Sequence, residues 1–413
     1  MKFAFLIFKV FPYGGVQRDM LRIAHDCVNA GHEVTIYTGE WRGDMPDARI
    51  RVEILPSRGW LNHSRHQSLI SAMQQALVKA PVDLVVGFNR MAGLDVYYAA
   101  DPCYLQRAHE ERSWFYRHLP LIRGRYRFFA SAEKAVMDAQ GNCQILLLTE
   151  REKLSFQQWY GTPDARFHLL PPSIPLKKFA NKNREACRTY ARQQFNLPAQ
   201  ANIVLTVGSA FVRKGVDRVI DAIAALPKAL QDNTWIIAIG EYESNSNIQA
   251  YCEKRGIAHR CIHVGGRADV ADLMVGADIF AHPARSELAG IVLIEAMTAG
   301  LPVLVTDVCG YAAHIAEAGA GVVLPSPYHQ VEMDNALAVM LQSPQQVEWQ
   351  GNGKRYTTLI KNTSSASAEA DYLIDYAGKK YTGSQVLVNR NLPTGEAGQS
   401  LSGSSGEVGE GVK

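Results

Sequence analysis

Short apolar, β-rich runs alternate with amphipathic segments along most of this chain, and the alternation occurs twice. The runs lie at residues 34–37, 83–88, 95–100 and 143–148 in the first half, and at 202–208, 234–241, 261–266, 278–284 and 302–308 in the second. Segments such as VDRVIDAIAAL and DVADLMVGA separate them, with apolar residues at helical spacing. Apolar strands that alternate with helices are typical of parallel sheets covered on both faces. The sequence therefore predicts an α/β fold with two doubly wound, Rossmann-like domains.

The proline pair Pro171-Pro172 divides the chain between these two halves. Because proline interrupts helices and strands, we predict domains at 1–171 and 172–360. Doubly wound sheets bind ligands beyond the carboxyl ends of their strands, so a central cleft between the domains is the expected binding site. A helix at 361–380 is expected to pack back on the N-terminal domain, and the Gly- and Ser-rich tail at 381–413 is expected to be disordered.

The composition restricts the class of protein. A hydrophobic content of 47% and a formal net charge of +3 over 413 residues are typical of a globular protein and give no bulk indication of nucleic-acid binding. The seven cysteines show no CxxC or paired zinc spacing, which favours free thiols in a reducing compartment such as the cytoplasm. The first apolar run ends at Lys9, too early for a signal peptide, and no run is long enough to span a bilayer.

Two adjacent glycines, Gly14 and Gly15, follow the first apolar run and precede an amphipathic segment. Glycines between a strand and a helix often serve only to turn the chain, because they adopt positive φ at little cost. Alternatively, the missing side chains let amides at the helix N-terminus approach an anion such as a phosphate. The GxGxxG spacing of dinucleotide sites is not present, so the residues alone leave both interpretations open.

The second half carries a more specific group of charges. Arg213 and Lys214 lie between a strand and a helix in SAFVRKGVDR, where adjacent cations could neutralise a diphosphate or could simply be an exposed pair. In SELAGIVLIEAMTAG, Glu287 precedes a helix expected to begin near Gly290, and Glu295 lies in its second turn. The first amides of that helix favour an anion, and carboxylates beside it suit the hydroxyls of a sugar and a ribose.

These motifs resemble those of the retaining nucleotide-sugar glycosyltransferases of GT-B architecture. The resemblance covers about residues 1–380 and is carried by GGVQR, VGSAFVRKG and ELAGIVLIE. Longer stretches, KVFPYGGVQRDMLRIA, VGFNRMAGLDVYYAAD and AGIVLIEAMTAGLPV, are similar to the bacterial lipopolysaccharide core glucosyltransferases. The resemblance implies an N-terminal acceptor domain, a C-terminal donor domain, UDP-glucose as donor and a heptose of the lipopolysaccharide inner core as acceptor.

The resemblance also implies a role for individual residues. The diphosphate site would comprise cations and backbone amides of Gly14, Gly15, Arg213, Lys214, Ala289, Gly290 and Ile291. Glu295 would bind the ribose and Glu287 the glucose hydroxyls. Gly266 and Arg267 would contact the uracil, and Lys178, whose neighbour Lys177 could take its place, would add a phosphate contact.

The implied reaction retains the anomeric configuration and uses no obvious protein nucleophile. No DxD motif occurs, so no metal and no other cofactor is expected, and protein cations must stabilise the leaving UDP. Arg213 and Lys214 are suited to this role. Asp19 and Asp101 are candidates for positioning acceptor and donor hydroxyls, although a helix-surface charge and a strand-end cap are alternative roles.

The segment 107–129 combines six arginines with several aromatic residues. Such a composition suits an anionic membrane surface, so we expect a cytoplasmic enzyme bound peripherally to the inner face of the inner membrane. An amphipathic helix packed on its own sheet is the alternative structural explanation, and RNA would use the same residue types. The rival functions are a nucleotide-sugar epimerase of the same two-domain fold and an RNA-binding protein that would use this segment. We expect no nucleic-acid partner.

Overall fold

The structure is a computed structural model, and it describes residues 1–12, 14–110, 120–172, 174, 176–240, 245–363 and 367–390. Two parallel sheets form the centres of two Rossmann-like domains, which confirms the predicted fold class. Within the described residues, no helix combines the length and the apolar character needed to cross a membrane.

The N-terminal domain contains a seven-stranded parallel sheet in the order β3-β2-β1-β4-β5-β6-β7. Its strands are β1 (Lys2–Leu6), β2 (Glu33–Thr38), β3 (Ile50–Ile54), β4 (Leu84–Gly87), β5 (Val96–Ala99), β6 (Gln144–Leu147) and β7 (Phe167–Leu169). Its helices are α1 (Gly15–Asn29), α2 (Asn62–Lys79), α3 (Tyr104–Glu110), α4 (Pro120–Met137) and α5 (Glu150–Tyr160). The order reverses between β1 and β4, so a crevice opens at the carboxyl end of β1.

The C-terminal domain contains a six-stranded parallel sheet in the order β10-β9-β8-β11-β12-β13. Its strands are β8 (Asn202–Val207), β9 (Thr234–Ile239), β10 (Cys261–Val264), β11 (Ile279–His282), β12 (Val303–Thr306) and β13 (Gly321–Leu324). Its helices are α6 (Leu176–Phe179), α7 (Arg184–Gln194), α8 (Val216–Ala224), α9 (Lys228–Gln231), α10 (Asn245–Lys254), α11 (Val270–Gly276), α12 (Ile291–Ala299), α13 (Ala312–Ala318), α14 (Gln330–Gln342) and α15 (Gln346–Thr363).

Alternate side chains of each central strand pack on opposite faces of its sheet. In β8, Ile203 and Leu205 lie in one buried cluster with the helix residue Leu293, whereas Val204 lies in another with Val219. Both faces are therefore covered by helices, which explains why the strands read as uninterrupted apolar runs.

The last helix, α16 (Ala368–Arg390), returns to the N-terminal domain and packs against α1. Leu373 belongs to the buried cluster that contains Phe5, and the guanidinium Nη2 of Arg22 lies 2.5 Å from the Glu369 carboxylate. The helix begins later than the predicted 361 and ends later than 380. Residues 381–390 belong to this helix, beyond the predicted start of the tail at 381, and 391–413 lie outside the described residues, so disorder of the tail stays a prediction.

Candidate active site

The loops that carry the predicted donor residues follow β8 and β11, which are neighbours in the sheet but not in the sequence. The sheet order reverses at this pair, so both loops meet at the carboxyl edge where doubly wound sheets bind ligands. The loop after β8 contains Arg213 and Lys214, and the loop after β11 contains Glu287.

The ammonium group of Lys214 contacts the carboxylate of Glu287. The ring nitrogen Nε2 of His282 lies 3.4 Å from the same carboxylate, and Arg213 Nη1 donates a hydrogen bond of 3.4 Å to the Ser286 carbonyl oxygen. Lys214 and Glu287 are both largely buried, with side chains 13% and 14% exposed. The predicted cations and the predicted sugar-binding carboxylate therefore form one cluster.

Burial determines the protonation of this cluster. Burial, reinforced by the charge of Arg213, lowers the pKa of Lys214 to about 8. The Glu287 carboxylate opposes this shift, because a neighbouring negative charge favours the ammonium form. Burial and the two cations also lower the pKa of His282 to about 3, so its imidazole is neutral at physiological pH. Burial lowers the pKa of Arg213, and the charge of Arg107 across the cleft acts in the same direction.

Two local features hold the loops in contact. Gly215 adopts φ +74°, and a Cβ there would lie 2.0 Å from the Pro283 carbonyl oxygen, so only glycine permits this approach. Arg285 also connects the two loops. Its backbone amide donates a hydrogen bond of 2.8 Å to the Arg213 carbonyl oxygen, and its guanidinium pairs with the Asp217 carboxylate at 2.7 Å. The position of Lys214 is thus fixed by the close approach of the two loop backbones and by the contacts of Arg285.

The helix α12 begins at Ile291, next to the predicted start at Gly290. Gly290 is in the left-handed conformation with φ +84°, which places the N-terminus of α12 directly after the loop that carries Glu287. Ala289 is buried at this turn. The free amides of the first turn give this end of the helix a partial positive charge, as the anion-site prediction requires.

A cleft of about 660 Å³ lies between the two domains. Predicted donor-binding residues line it from both sides: Gly14, Lys178, Gly266, Arg267 and Glu295. The guanidinium group of Arg267 forms hydrogen bonds of 2.7 and 2.6 Å to the two carboxylate oxygens of Asp269, which fixes its plane at the cleft wall. The structure therefore brings together residues that the sequence separates by up to 281 positions, from Gly14 to Glu295.

Glu295 pairs with cations of both domains inside this cleft. Its carboxylate oxygen Oε1 lies 3.7 Å from Arg18 Nη1 of α1 and 3.5 Å from Lys178 Nζ. Because Arg18 belongs to the N-terminal domain, this carboxylate links the two domains. A ribose bound here would have to share Glu295 with these cations.

The glycine pair does not serve a left-handed turn. Gly14 has φ −75° and caps α1, and neither glycine of the pair has positive φ. A Cβ on Gly15 would meet no atom within 4 Å, whereas one on Gly14 would strike the Gln17 side chain. Gly14 lines the cleft, whereas a Cβ on Gly15 would meet only open space, so the anion interpretation of the pair stays a prediction.

A second pocket, of about 420 Å³, lies within the N-terminal domain. Asp101 lines it together with Lys9, Arg90, Arg107 and Arg125. The guanidinium Nη1 of Arg90 pairs at 2.6 Å with the Glu133 carboxylate, which is fully buried. The pocket is therefore predominantly basic, with Asp101 as its lining carboxylate.

A cavity of about 250 Å³ lies where the domains meet. Its walls include Arg107 and Arg151 from the N-terminal domain and Arg285 and Glu287 from the C-terminal domain. Arg107 and Pro102 line both this cavity and the N-terminal pocket. The cavity at Glu287 and the N-terminal pocket are therefore adjacent.

Asp19 lies away from these cavities. Its Oδ2 accepts a hydrogen bond of 3.1 Å from the Tyr98 hydroxyl, and Arg18 Nε lies 3.7 Å from its Oδ1. Burial raises the pKa of Asp19, and the charge of Arg18 only partly offsets this effect. Asp19 does not appear among the residues that line the donor cleft or the N-terminal pocket.

The basic and aromatic segment 107–129 is only partly described, because residues 111–119 and the side chains of 110 and 120–123 lie outside the described part of the chain. Phe128 and Phe129 lie with their ring centroids 6.0 and 6.2 Å from that of His66, and Phe129 also packs on Tyr104. Arg127 is exposed. The described aromatic rings of the segment therefore face their own domain.

Sequence reasoning missed three residues of the site: Arg18, His282 and Arg285. His282 is the last residue of the buried strand β11, where the sheet order reverses. A polar residue at that position was a recognisable sign of a binding site. The partners of Arg18 and Arg285 come from distant segments, so no local pattern indicated them. Across the part of the chain that the structure covers, no three His, Cys, Asp or Glu side chains are grouped as metal ligands. Metal independence stays a prediction.

The chain is similar to known glycosyltransferases along most of its length. Residues 13–178 match the model of Glycosyltransferase Family 4, and residues 188–356 match that of Glycosyl transferases group 1. The chain is 41% identical over 355 residues to the lipopolysaccharide glucosyltransferase WaaG of Escherichia coli, covering 86% of this chain and 93% of that protein.

Solved structures give the same result. A crystal structure of WaaG, a glycosyltransferase involved in lipopolysaccharide biosynthesis, superposes with a TM-score of 0.84 at 39% identity, covering 90% of this chain and 99% of the other. The Anabaena protein HepE, solved with UDP-glucose, has a TM-score of 0.70 at 16% identity, covering 92% of this chain and all of its own, and shares the fold. The chain therefore belongs to the GT-B glycosyltransferases, in the family that includes the lipopolysaccharide glucosyltransferase WaaG.

Proposed function

We propose that the protein transfers glucose from UDP-glucose to a heptose of the lipopolysaccharide inner core, with retention of the anomeric configuration and without a divalent metal. The similarity to WaaG, which extends over both domains, supports the sugar and the acceptor class. Membership of a glycosyltransferase family disfavours the epimerase and RNA-binding alternatives.

The observation that carries the proposal is the cavity of about 250 Å³ at the domain junction. It has Glu287 on its donor side and shares Arg107 with the N-terminal pocket, so a sugar bound by Glu287 would lie next to an acceptor in that pocket. This arrangement is the one that a transfer between two substrates requires, because the reacting atoms must be held in contact.

The donor would occupy the interdomain cleft in an orientation set by charge. The uracil would lie against Gly266 and Arg267, the ribose would bind Glu295, and Lys178 would contact a phosphate. A diphosphate between the N-terminus of α1 and that of α12 would draw Lys214 away from Glu287, which frees that carboxylate for the glucose hydroxyls.

In the reaction, the bond from the anomeric carbon to the diphosphate oxygen breaks and a bond to the acceptor oxygen forms on the same face. The leaving phosphate takes the proton of the acceptor hydroxyl, so no protein nucleophile is needed. Arg213 and Lys214 stabilise the negative charge that develops on UDP. Asp101 would position substrate hydroxyls from the wall of the N-terminal pocket. Asp19, predicted to share this role, instead accepts a hydrogen bond from Tyr98 and lines neither that pocket nor the interdomain cleft.

We place this reaction at the cytoplasmic face of the inner membrane, with the enzyme bound peripherally through 107–129. The exposed Arg127 and the basic composition of the segment support attraction to anionic lipids. A lipid-anchored acceptor would be found at the same surface.

The proposal is tested by incubating the purified protein with a panel of nucleotide sugars, with and without deacylated lipopolysaccharide core. We expect UDP release from UDP-glucose that depends on the acceptor, with the glucose recovered on a heptose. Turnover that ignores the acceptor, or a strong preference for another nucleotide sugar, would contradict the proposal.

A further inference from the structure

The loop before α2 exposes a large apolar surface. The side chain of Trp60 is 100% exposed, and that of its neighbour Leu61 is 48% exposed. Tryptophan rarely stands fully in water, because its ring loses the favourable free energy of burial. A fully exposed ring beside a second apolar side chain indicates a surface that contacts something else.

Hydrogen bonds hold this loop in place. The guanidinium Nε of Arg65 donates to the Gly59 carbonyl at 2.8 Å, and the backbone amide of Leu61 donates to the Ser64 hydroxyl at 3.2 Å. Both anchors lie on the first turn of α2. Trp60 is therefore presented by a fixed framework, so its exposure is a property of the fold.

The loop lies beside the basic helix α4. The helix α2 packs against α4, and a Cβ on Gly124 would come within 3.1 Å of His63 Nε2, so the start of α2 is in close contact with that helix. Arg58 and Arg65 flank Trp60 and are exposed, and Arg127 of α4 is exposed as well. No acidic residue occurs between residues 55 and 68.

This combination fits an anionic bilayer better than a protein partner. Indole rings settle at the headgroup level, and surrounding arginines pair with lipid phosphates. The aromatic residues Phe128 and Phe129 of the basic segment pack inward, so the described part of that segment supplies charge but little apolar contact. Trp60 and Leu61 supply that contact from the neighbouring loop.

We propose that Trp60 and Leu61 form the apolar anchor by which the protein inserts into the headgroup region of an anionic membrane. The proposal rests on the membrane location given under the proposed function, and adds to it the segment that inserts. Binding then has an electrostatic part from the arginines and an apolar part from this loop, and only the electrostatic part is screened by salt.

The first test measures partition of the full chain onto vesicles of phosphatidylcholine with about a third phosphatidylglycerol. Trp60→Ala is expected to weaken partition by about tenfold, and most of the loss should persist at high salt, where charge is screened. Val347→Ala is the matched control, because Val347 is 76% exposed on α15 of the other domain. Equal partition of both variants and the parent protein would overturn the proposal.

The second test locates the ring directly. In a Trp114→Phe background, which removes the tryptophan of the basic segment, brominated lipids should quench a component of the fluorescence that Trp60→Phe eliminates. Absence of quenching of that component would overturn the proposal. A change in oligomeric state in Trp60→Ala that explains the loss of vesicle partition would also overturn it, because Trp60 would then contact another copy of the chain. Acceptor-dependent turnover on a soluble acceptor, measured in parallel, tests the proposed function independently.

Discussion

The ammonium group of Lys214 contacts the carboxylate of Glu287, although these residues are 73 positions apart and belong to loops after different strands. The contact exists because β8 and β11 are adjacent at the point where the sheet order reverses. We expect substrates to separate this pair, because the proposed diphosphate would bind the cation and the proposed glucose would bind the carboxylate.

Replacing Lys214 by alanine is expected to lower kcat by roughly 10²–10³, because one preorganised donor to the developing negative charge is lost. Arg213→Ala should have an effect of the same order. Lys228→Ala is the matched control, since Lys228 is an exposed lysine of the same domain that pairs only with Asp232 in the structure. Steady-state turnover of UDP-glucose with acceptor measures the effect, and normal kcat in Lys214→Ala would exclude Lys214 from the diphosphate site.

The pH dependence of kcat/KM should follow the ionisation of Lys214. Its pKa is lowered to about 8 by burial, so the ammonium is present below this pH and loses its proton as the pH rises through it. Because the charged form is needed, kcat/KM for the donor should fall above about pH 8. A bound diphosphate favours the ammonium, so the corresponding limb of kcat should lie at higher pH. A kcat/KM that stays constant to pH 10 would contradict this assignment.

Replacing Glu295 by alanine should raise the donor KM more than it lowers kcat. A ribose contact is similar in the ground state and the transition state, so its loss affects binding uniformly. Glu253→Ala serves as control, because Glu253 is exposed on α10. A fall in kcat at unchanged KM would instead show that Glu295 acts on the reacting sugar.

Charge in the basic segment should control membrane association. Replacing Arg123 and Arg127 by glutamine should weaken partition onto anionic vesicles by about tenfold or more, since each basic residue near such a surface contributes roughly 1 kcal/mol. The effect should shrink as salt rises from about 0.05 to 0.5 M, because the Debye length falls. Lys134→Gln, on the same helix α4, is the control. Equal binding of the parent protein to neutral and anionic vesicles would refute the electrostatic contribution.

The fold was predictable because its signal is local. Runs such as Asn202–Val207 are apolar on both faces, and short helical segments separate them, so parallel sheets follow from pattern alone. The end of the last helix was not predictable in this way, because the boundary at 381 rested on Gly and Ser content, whereas α16 extends to Arg390.

The site was predictable only in part, because contacts between distant segments leave no local pattern. Motifs identified Glu295, which lines the interdomain cleft, and Glu287, which lines the cavity at the domain junction and contacts Lys214. The pairing of Glu295 with Arg18 across the domains depends on how the two sheets face each other, which no run of residues encodes. The close approach of Gly215 to the Pro283 carbonyl is of the same kind.

The proposed reaction depends above all on protein cations that stabilise the leaving UDP in place of a metal, with retention of configuration. The most direct measurement is glucose transfer from UDP-glucose to deacylated lipopolysaccharide core in excess EDTA, with the anomeric configuration of the product determined by NMR. We expect an α-linked product formed at the same rate with and without the chelator. An absolute requirement for magnesium, or a β-linked product, would contradict it.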